Sequence, residues 1–418
     1  MNALSIALSM VYVLIGITSS YCIFLGILAI PVFQNQVVYL NAFSMTWFKN
    51  LSVPETWGFL HNQVTSFTLD TSDGEMLHVW HILPLNVYRK HEEDLIAEST
   101  ELALPITSRL AFQLLRDDPD ARLVLYFHGA GGTLGSGYRP ASYQAISASA
   151  PDKIHIVAID YRGFGMSTGS PSEKGLQTDA IALAEWALNV AGISPDRIAV
   201  FGQSLGTAVS ISLAHQLAVR SIPVLFSGMV LIAPFSDVEQ LATTYRVAGV
   251  VPILSPLGLF PRLLAFLNTF IKSKWPSKDK LAEFVQHCEN LGLESSGGLR
   301  YQISILHAED DYDIPWEHSE TIFWHAVNAS VSLGITLEEL KIDKVCTRTE
   351  LGAGGWTVTH QTERGFIRQT ILKYGLHDRI MSYPAISIEI AKRFGWSERK
   401  RFTLTEVLKK LPTSRRHR

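Results

Sequence analysis

Ser204 stands in the run Gly202-Gln203-Ser204-Leu205-Gly206, directly after the apolar stretch Arg197–Phe201 and directly before a helical pattern over Leu205–Val219. The spacing G-x-S-x-G between a strand and a helix is that of a nucleophile elbow. Such a turn lifts the serine hydroxyl above the end of a strand, and a side chain at either glycine would strike the neighbouring element. The helix N-terminus adds positive potential and open N–H groups beside the hydroxyl. Ser204 is therefore expected to attack a carbonyl carbon.

A serine hydroxyl needs a general base, and the base needs a carboxylate to fix its tautomer. After an elbow of this kind the acid and then the histidine follow in the chain. The segment His307-Ala308-Glu309-Asp310-Asp311-Tyr312-Asp313-Ile314-Pro315 comes after the apolar run Ile303–Leu306. Asp311, four residues past His307 and four before Pro315, has the best register for turning back over the strand ends. Asp310 is second, and Asp237 after the preceding strand is third. His360 is the expected base. It ends the glycine-rich stretch Leu351–Thr359, between a strand expected around Asp343–Arg348 and a helix expected over Glu363–Tyr374. His377, beyond that helix, is the alternative; His318 and His325 follow the acid too closely.

His128-Gly129-Ala130-Gly131-Gly132 follows the run Leu123–Phe127. Its small residues let backbone N–H groups approach a developing oxyanion, so the hole is expected from Leu205 with Ala130 or Gly131. His128 and the turn Asp160–Gly165 read as scaffold. The glycines fit neither phosphate-binding pattern, and H-E-x-x-H is absent. The three cysteines, Cys22, Cys288 and Cys346, are scattered. No metal and no cofactor is expected, and whether Cys288 and Cys346 pair stays open.

The elements that must carry these residues are short apolar runs separated by helical stretches. Val64–Leu69 and Met76–Leu83 flank a turn. Leu123–Phe127, Ile154–Ile159, Arg197–Phe201, Met229–Ala233 and Ile303–Leu306 alternate with helices such as Glu173–Val190. That rhythm predicts an α/β fold, a mostly parallel sheet with helices on both faces. Between Pro234 and Leu299 the connection is far longer than the usual ~2–6 residues. Its centre, Val247–Ile271, carries one charge, Arg262, and three prolines. An apolar lid at about 235–299, suited to an acyl chain or a membrane surface, is expected there.

The chain has 418 residues, of which 47% are hydrophobic and 18% charged, with formal net charge −3. That composition excludes long-chain disorder, and the near-neutral balance argues against a nucleic-acid partner. No charged side chain precedes Lys49, and Leu8–Ile30 is almost continuously apolar. About 20 such residues cross a bilayer. The run is too long, and lacks the basic flank, for a cleaved signal peptide. The expected organisation is an anchor over 1–35, a juxtamembrane segment with the first strands over 36–122, a catalytic core over 123–376 and a basic extension over 377–418. From Lys392 onward ten Lys and Arg face two Glu. Two sequons, at Asn50 and Asn328, could be glycosylated, Asn328 being farther from the membrane.

Taken together, Tyr126–Thr133, Asp160–Gly165, Gly202–Thr207 and Leu306–Asp311 resemble the membrane-anchored α/β-hydrolase-domain lipases, which act on monoacylglycerols and lysophosphatidylserine. The similarity runs from about Ile30 to about Tyr374. It implies the α/β-hydrolase fold, Ser204, Asp311 and His360 as triad, one N-terminal span and a lumenal catalytic domain in the endoplasmic reticulum. The family often has Asn where Ala130 stands. The resemblance implies a serine hydrolase of lipid acyl esters. A depalmitoylating thioesterase or a serine peptidase on the same triad, and an inactive hydrolase-fold membrane partner, are the alternatives.

Overall fold

The computed structural model describes residues 3–100, 105–246, 249, 252, 254–291 and 299–395. The basic tail beyond 395 and parts of the apolar stretch Val247–Ile271 lie outside these residues. Among the described residues ten strands form one sheet: β1 (Val64–Asp70), β2 (Met76–Ile82), β3 (Arg122–Phe127), β4 (Ile154–Asp160), β5 (Ile198–Gln203), β6 (Gly228–Ile232), β7 (Tyr301–Ala308), β8 (Thr349–Glu350), β9 (Gly355–Gln361) and β10 (Gly365–Leu372). Their spatial order is β1-β2-β4-β3-β5-β6-β7-β10-β9-β8. The six strands from β4 to β10 in that order run parallel, with antiparallel pairs at both edges.

The central strands are buried on both faces and read as unbroken apolar runs, as parallel strands under helices must. On one face pack the helices Glu173–Glu185, Leu205–Ala218, Ser277–Asn290 and Glu317–Ser330. On the other lie Arg139–Ala148 and Pro384–Arg393. The helix Leu205–Ala218 has almost no exposed side. Burial all round, rather than one apolar stripe, is what a helix at the centre of a layer shows.

Three sequence expectations change here. Asp343–Arg348 is no strand; the helix Leu337–Thr347 occupies it, started by a capping box of Thr336 and Glu339. Glu363–Tyr374 is no helix; β9 and β10 form a hairpin, and β10 completes the parallel sheet against β7. The core does not end at 376, because Ile386 and Ile390 are fully buried on the sheet. In the same helix Glu389 is buried among Arg368, Lys392 and Arg393, and accepts the Ser304 hydroxyl at 2.6 Å.

The long connection after β6 also divides. Its helix Ser277–Asn290 packs between two core helices and is scaffold. The part before it carries exposed Leu259, Phe260, Leu263 and Phe266. Its Arg246 N–H donates to the Asp313 carbonyl at 3.2 Å, which places it against the loop after β7. Cys288 is buried and Cys346 exposed, and both are free thiols. Asn328, the favoured sequon, is half-buried, with its side-chain oxygen held by the Ile335 N–H at 2.7 Å; Asn50 is the exposed one.

The helix Ala3–Leu28 stands apart from the sheet, its apolar side chains mostly exposed. Over Ser5–Leu28 it is long and apolar enough to cross a membrane. After two intervening residues the helix Pro31–Tyr39 begins, and from it the chain runs toward the sheet. The Tyr39 hydroxyl donates to Ser273 Oγ at 2.8 Å, and the Asn41 side-chain amide donates to the Gly163 carbonyl at 3.0 Å.

Candidate active site

The carboxyl ends of β3, β5, β7 and β10 converge on one edge of the sheet. Ser204 is the turn between β5 and the helix Leu205–Ala218, with φ 52° and ψ −119°. A non-glycine residue at positive φ is strained, and strain of this kind collects at functional turns. The turn is held by the Ser204 N–H, which donates to the Ile232 carbonyl of β6 at 2.9 Å. Both flanking glycines are required by close approach. A Cβ on Gly206 would run into the Phe127 carbonyl of β3, and one on Gly202 into the Gly206 carbonyl.

Asp311 follows β7 and is 6% exposed. Its Oδ1 accepts the backbone N–H groups of Asp313 at 3.0 Å and Ile314 at 2.9 Å. Its Oδ2 faces His307 Nε2 at 3.1 Å and His377 Nδ1 at 2.7 Å. Burial alone would raise this carboxyl. The charge and hydrogen bond of His377, with those of His307, outweigh burial and hold it well below the usual carboxylate range. Burial likewise lowers the His377 imidazole, but Asp311, with Asp378 and Asp313 beyond it, lifts it to about 9.

Of the two histidines expected downstream of the acid, His377, and not His360, is therefore the one that reaches it. His360 lies on β9 opposite Ile367, which is level with Ile303 on β7. That is five residues short of the β7 end at Ala308, about 16 Å down the strand. There its Nε2 sits 3.1 Å from Ser330 Oγ. The reason is strand direction. β9 runs antiparallel, so its last residues point away from the carboxyl edge, whereas His377 comes five residues after β10 and stays at that edge. Leu376, just before it, has φ 51°, and its N–H donates to Asp310 Oδ1 at 2.8 Å. Asp310 thus shapes the histidine loop. Asp237, the third candidate acid, caps the helix Val238–Thr244 and pairs with Lys278.

Gln203, which the sequence did not single out, ties the elbow to the histidine loop. Its side-chain amide donates to the His377 carbonyl at 3.4 Å and to Asp378 Oδ1 at 3.2 Å. On the opposite side, the loop His128–Gly132 passes close to Ser204, where a Cβ on Gly129 would lie 3.1 Å from the Ser204 Cβ. Of the expected oxyanion donors, the Gly131 N–H is already spent on the Tyr39 carbonyl at 2.8 Å. Among the described residues, the N–H groups of Ala130 and Leu205 have no acceptor. His128 is buried and turned from the serine, with Nδ1 on the Gly129 carbonyl at 2.8 Å and Nε2 facing Asp160 at 3.3 Å. Among the described residues, no group of three or more metal-ligating side chains comes together.

Comparison with known proteins agrees with this architecture. Residues 124–323 match the model of the alpha/beta hydrolase family. Protein ABHD12B of Homo sapiens is 30% identical over 295 residues, covering 71% of this chain and 70% of that protein. Lysophosphatidylserine lipase ABHD12 of Danio rerio is 26% identical over 296 residues, covering 70% of this chain and 66% of that protein. The aligned region thus spans about two thirds of the length of these relatives. A crystal structure of an alpha-beta hydrolase from Vibrio vulnificus superposes with a TM-score of 0.50 at 16% identity, covering 86% of this chain and 93% of that one. The strand order, the elbow at Ser204 and a relative 30% identical over 70% of its length agree, and the chain belongs to the α/β-hydrolase-domain lipase family.

Proposed function

We propose that this chain is a membrane-anchored serine hydrolase that cleaves acyl esters of lipids, with monoacylglycerols and lysophospholipids as the substrate class. The observation that carries the reading is the 2.7 Å pair of His377 Nδ1 and Asp311 Oδ2, at the sheet edge where the strained Ser204 turn projects. In the proposed cycle His377 Nε2 takes the Ser204 proton as Oγ bonds to the ester carbonyl carbon. The N–H groups of Leu205 and Ala130 hold the oxyanion. The imidazolium, stabilised by Asp311, then gives its proton to the departing alcohol, leaving an acyl-enzyme. Water, deprotonated by His377, releases the fatty acid and restores Ser204. No cofactor enters this cycle.

Three features support a lipid substrate. Relatives carry the name lysophosphatidylserine lipase. Exposed Leu259, Phe260, Leu263 and Phe266 give the connection after β6 an apolar surface suited to a lid. The helix Ala3–Leu28 has the length and composition of a single span. A location in the endoplasmic reticulum with a lumenal catalytic domain follows from the family resemblance alone.

The test is labelling of the membrane-bound protein by a fluorophosphonate probe, wild type beside Ser204→Ala, in competition with monoacylglycerol and lysophosphatidylserine. Labelling that depends on Ser204 and is blocked by one lipid is the expected result. A Ser204→Ala protein that still hydrolyses lipid esters at near-full rate would overturn the assignment.

A further inference from the structure

Arg139 opens the helix Arg139–Ala148 and is 6% exposed. No described carboxylate lies within the 4.0 Å ion-pair distance of its guanidinium. A buried cation without an acid beside it is costly unless its donors are met in another way. Here backbone carbonyls meet them. Nη2 donates to the Gly129 carbonyl at 3.0 Å and to the Gly131 carbonyl at 2.7 Å, with a longer approach to Ala130 at 3.5 Å. Nη1 donates to the Thr133 carbonyl at 2.6 Å. Arg139 thus collects the carbonyls of Gly129, Gly131 and Thr133 from the loop that faces Ser204.

The consequence lies in the peptide plane. In a trans peptide the carbonyl and the next N–H point in opposite directions. Drawing the Gly129 carbonyl toward Arg139 turns the Ala130 N–H away from it. The next two planes obey the same rule, and their N–H groups are taken up by the chain that follows the apolar helix. The Gly131 N–H donates to the Tyr39 carbonyl at 2.8 Å, and the Gly132 N–H to the Phe43 carbonyl at 2.6 Å. Both glycines have positive φ, 64° and 68°, as this course of the backbone requires. The Ala130 N–H is left without an acceptor, on the peptide that passes beside Ser204.

We propose that Arg139 is a positioning residue for the oxyanion loop, holding the Gly129 and Gly131 carbonyls so that the Ala130 N–H is presented to the ester oxygen at Ser204. The inference rests on the serine-hydrolase reading given above. A charged donor on each carbonyl also polarises the peptide, which makes its N–H a stronger donor. Arg suits the position because its planar fork reaches several carbonyls from one fixed plane; an ammonium is a single point.

The test uses the full chain in membranes, with Arg139→Met and Arg139→Lys beside wild type. Turnover of p-nitrophenyl butyrate is measured, together with inhibition by a trifluoromethyl ketone, which adds to the serine oxygen and places an alkoxide in the oxyanion hole. Removing such a donor outright costs about 10²–10³-fold in kcat. Misaligning one through Arg139→Met is expected to cost about 10–100-fold in kcat, with KM within about twofold. The ketone should weaken by the same factor as kcat/KM, with Arg139→Lys falling between.

A folded Arg139→Met protein with kcat within twofold of wild type overturns the proposal. So does a loss of kcat with unchanged ketone affinity, since that is general damage. If Arg139→Met does not fold, Arg139→Lys decides: kcat and ketone affinity falling in step support the proposal, and full activity sinks it. A wild type that neither turns over the ester nor binds the ketone overturns the Ser204 reading itself, which separates the two failures.

Discussion

Histidine at position 377 and histidine at position 360 make opposite predictions about which imidazole the chemistry needs. His377 Nδ1 is 2.7 Å from the buried Asp311 carboxylate, whereas His360 bonds a serine on a core helix. His377→Ala should lower kcat by about 10⁶-fold, the scale on which removal of a triad base is felt. His360→Ala should leave it within about twofold. Fluorophosphonate labelling and ester turnover of both variants, each checked for folding by circular dichroism, decide between them; full activity in His377→Ala would remove this histidine from the mechanism. The same pair governs pH dependence. The base works neutral, and Asp311 holds the imidazole proton up to about pH 9. Consequently kcat/KM of the free enzyme should climb through the neutral range and level off only at alkaline pH. Asp311→Asn should move the inflection to lower pH while lowering the plateau. For stability the sign is reversed. The folded state binds this proton more tightly than an unfolded chain with a histidine pKa of about 6.5, so the His377 contribution is complete below about that pH and fades as pH rises through about 9. The depressed Asp311 contributes above the ordinary carboxylate range near 3.9 and loses its share as pH falls below it. Thermal melts across pH 5–10 would read the alkaline loss, and a melting temperature that keeps rising above pH 9 would contradict it.

Whole elements carried most of the fold in the sequence, and one pair of elements misled it. The runs that became β1 to β7 are apolar, short and bounded by turn residues, so their burial between helix layers is written in composition. Ser204 is legible because an elbow needs glycines at fixed offsets. The place of Asp311 just past β7 is legible because the apolar run of that strand ends in acidic and turn residues. The segment from Leu337 to Leu372 is different. Leu351–Thr359 holds three glycines and looks like a loop, yet Gly355 begins β9 at φ 126°, pressed against the Ile371 backbone. In β10, Gly365–Leu372, polar Arg368 and Gln369 interrupt the apolar residues at a spacing a helix could also use. Gln369 is nevertheless fully buried, its amide on Ser319 Oγ and its oxygen bound by Lys344. Those partners come from distant helices and leave no local trace. Placing the last strand about 20 residues early moved the histidine by one loop. Arg139 and Gln203 were invisible for the same reason, since they bond groups of other loops whose positions only the folded chain defines.

At the scale of the whole molecule, the helix proposed as the span and the proposed site are joined by one short strap. The helix Ala3–Leu28, 26 residues long, reaches about 39 Å against an apolar bilayer core of about 30 Å. The strap then begins at Pro31 and lends the carbonyls of Tyr39 and Phe43 to the loop His128–Gly132, the proposed oxyanion loop. Anchoring and catalysis should therefore separate at a definite residue. A chain starting at Ile30 removes only the span. It should leave membranes on alkaline extraction while keeping turnover of a soluble short-chain ester within about twofold. A chain starting at Trp47 also removes the strap. It deletes Tyr39, whose fully buried ring alone contributes about 2–3 kcal/mol, and opens the core around it. It also frees the N–H groups of Gly131 and Gly132 to swing, so the Ala130 N–H loses its fixed direction. The expected outcome is a lower melting temperature and a kcat loss of about tenfold or more that persists at temperatures where the shorter chain is fully folded. Equal turnover in the two truncations would mean that the loop holds its shape without the strap, with Arg139 sufficient. Loss of turnover already in the first would mean that the bilayer itself helps to form the site.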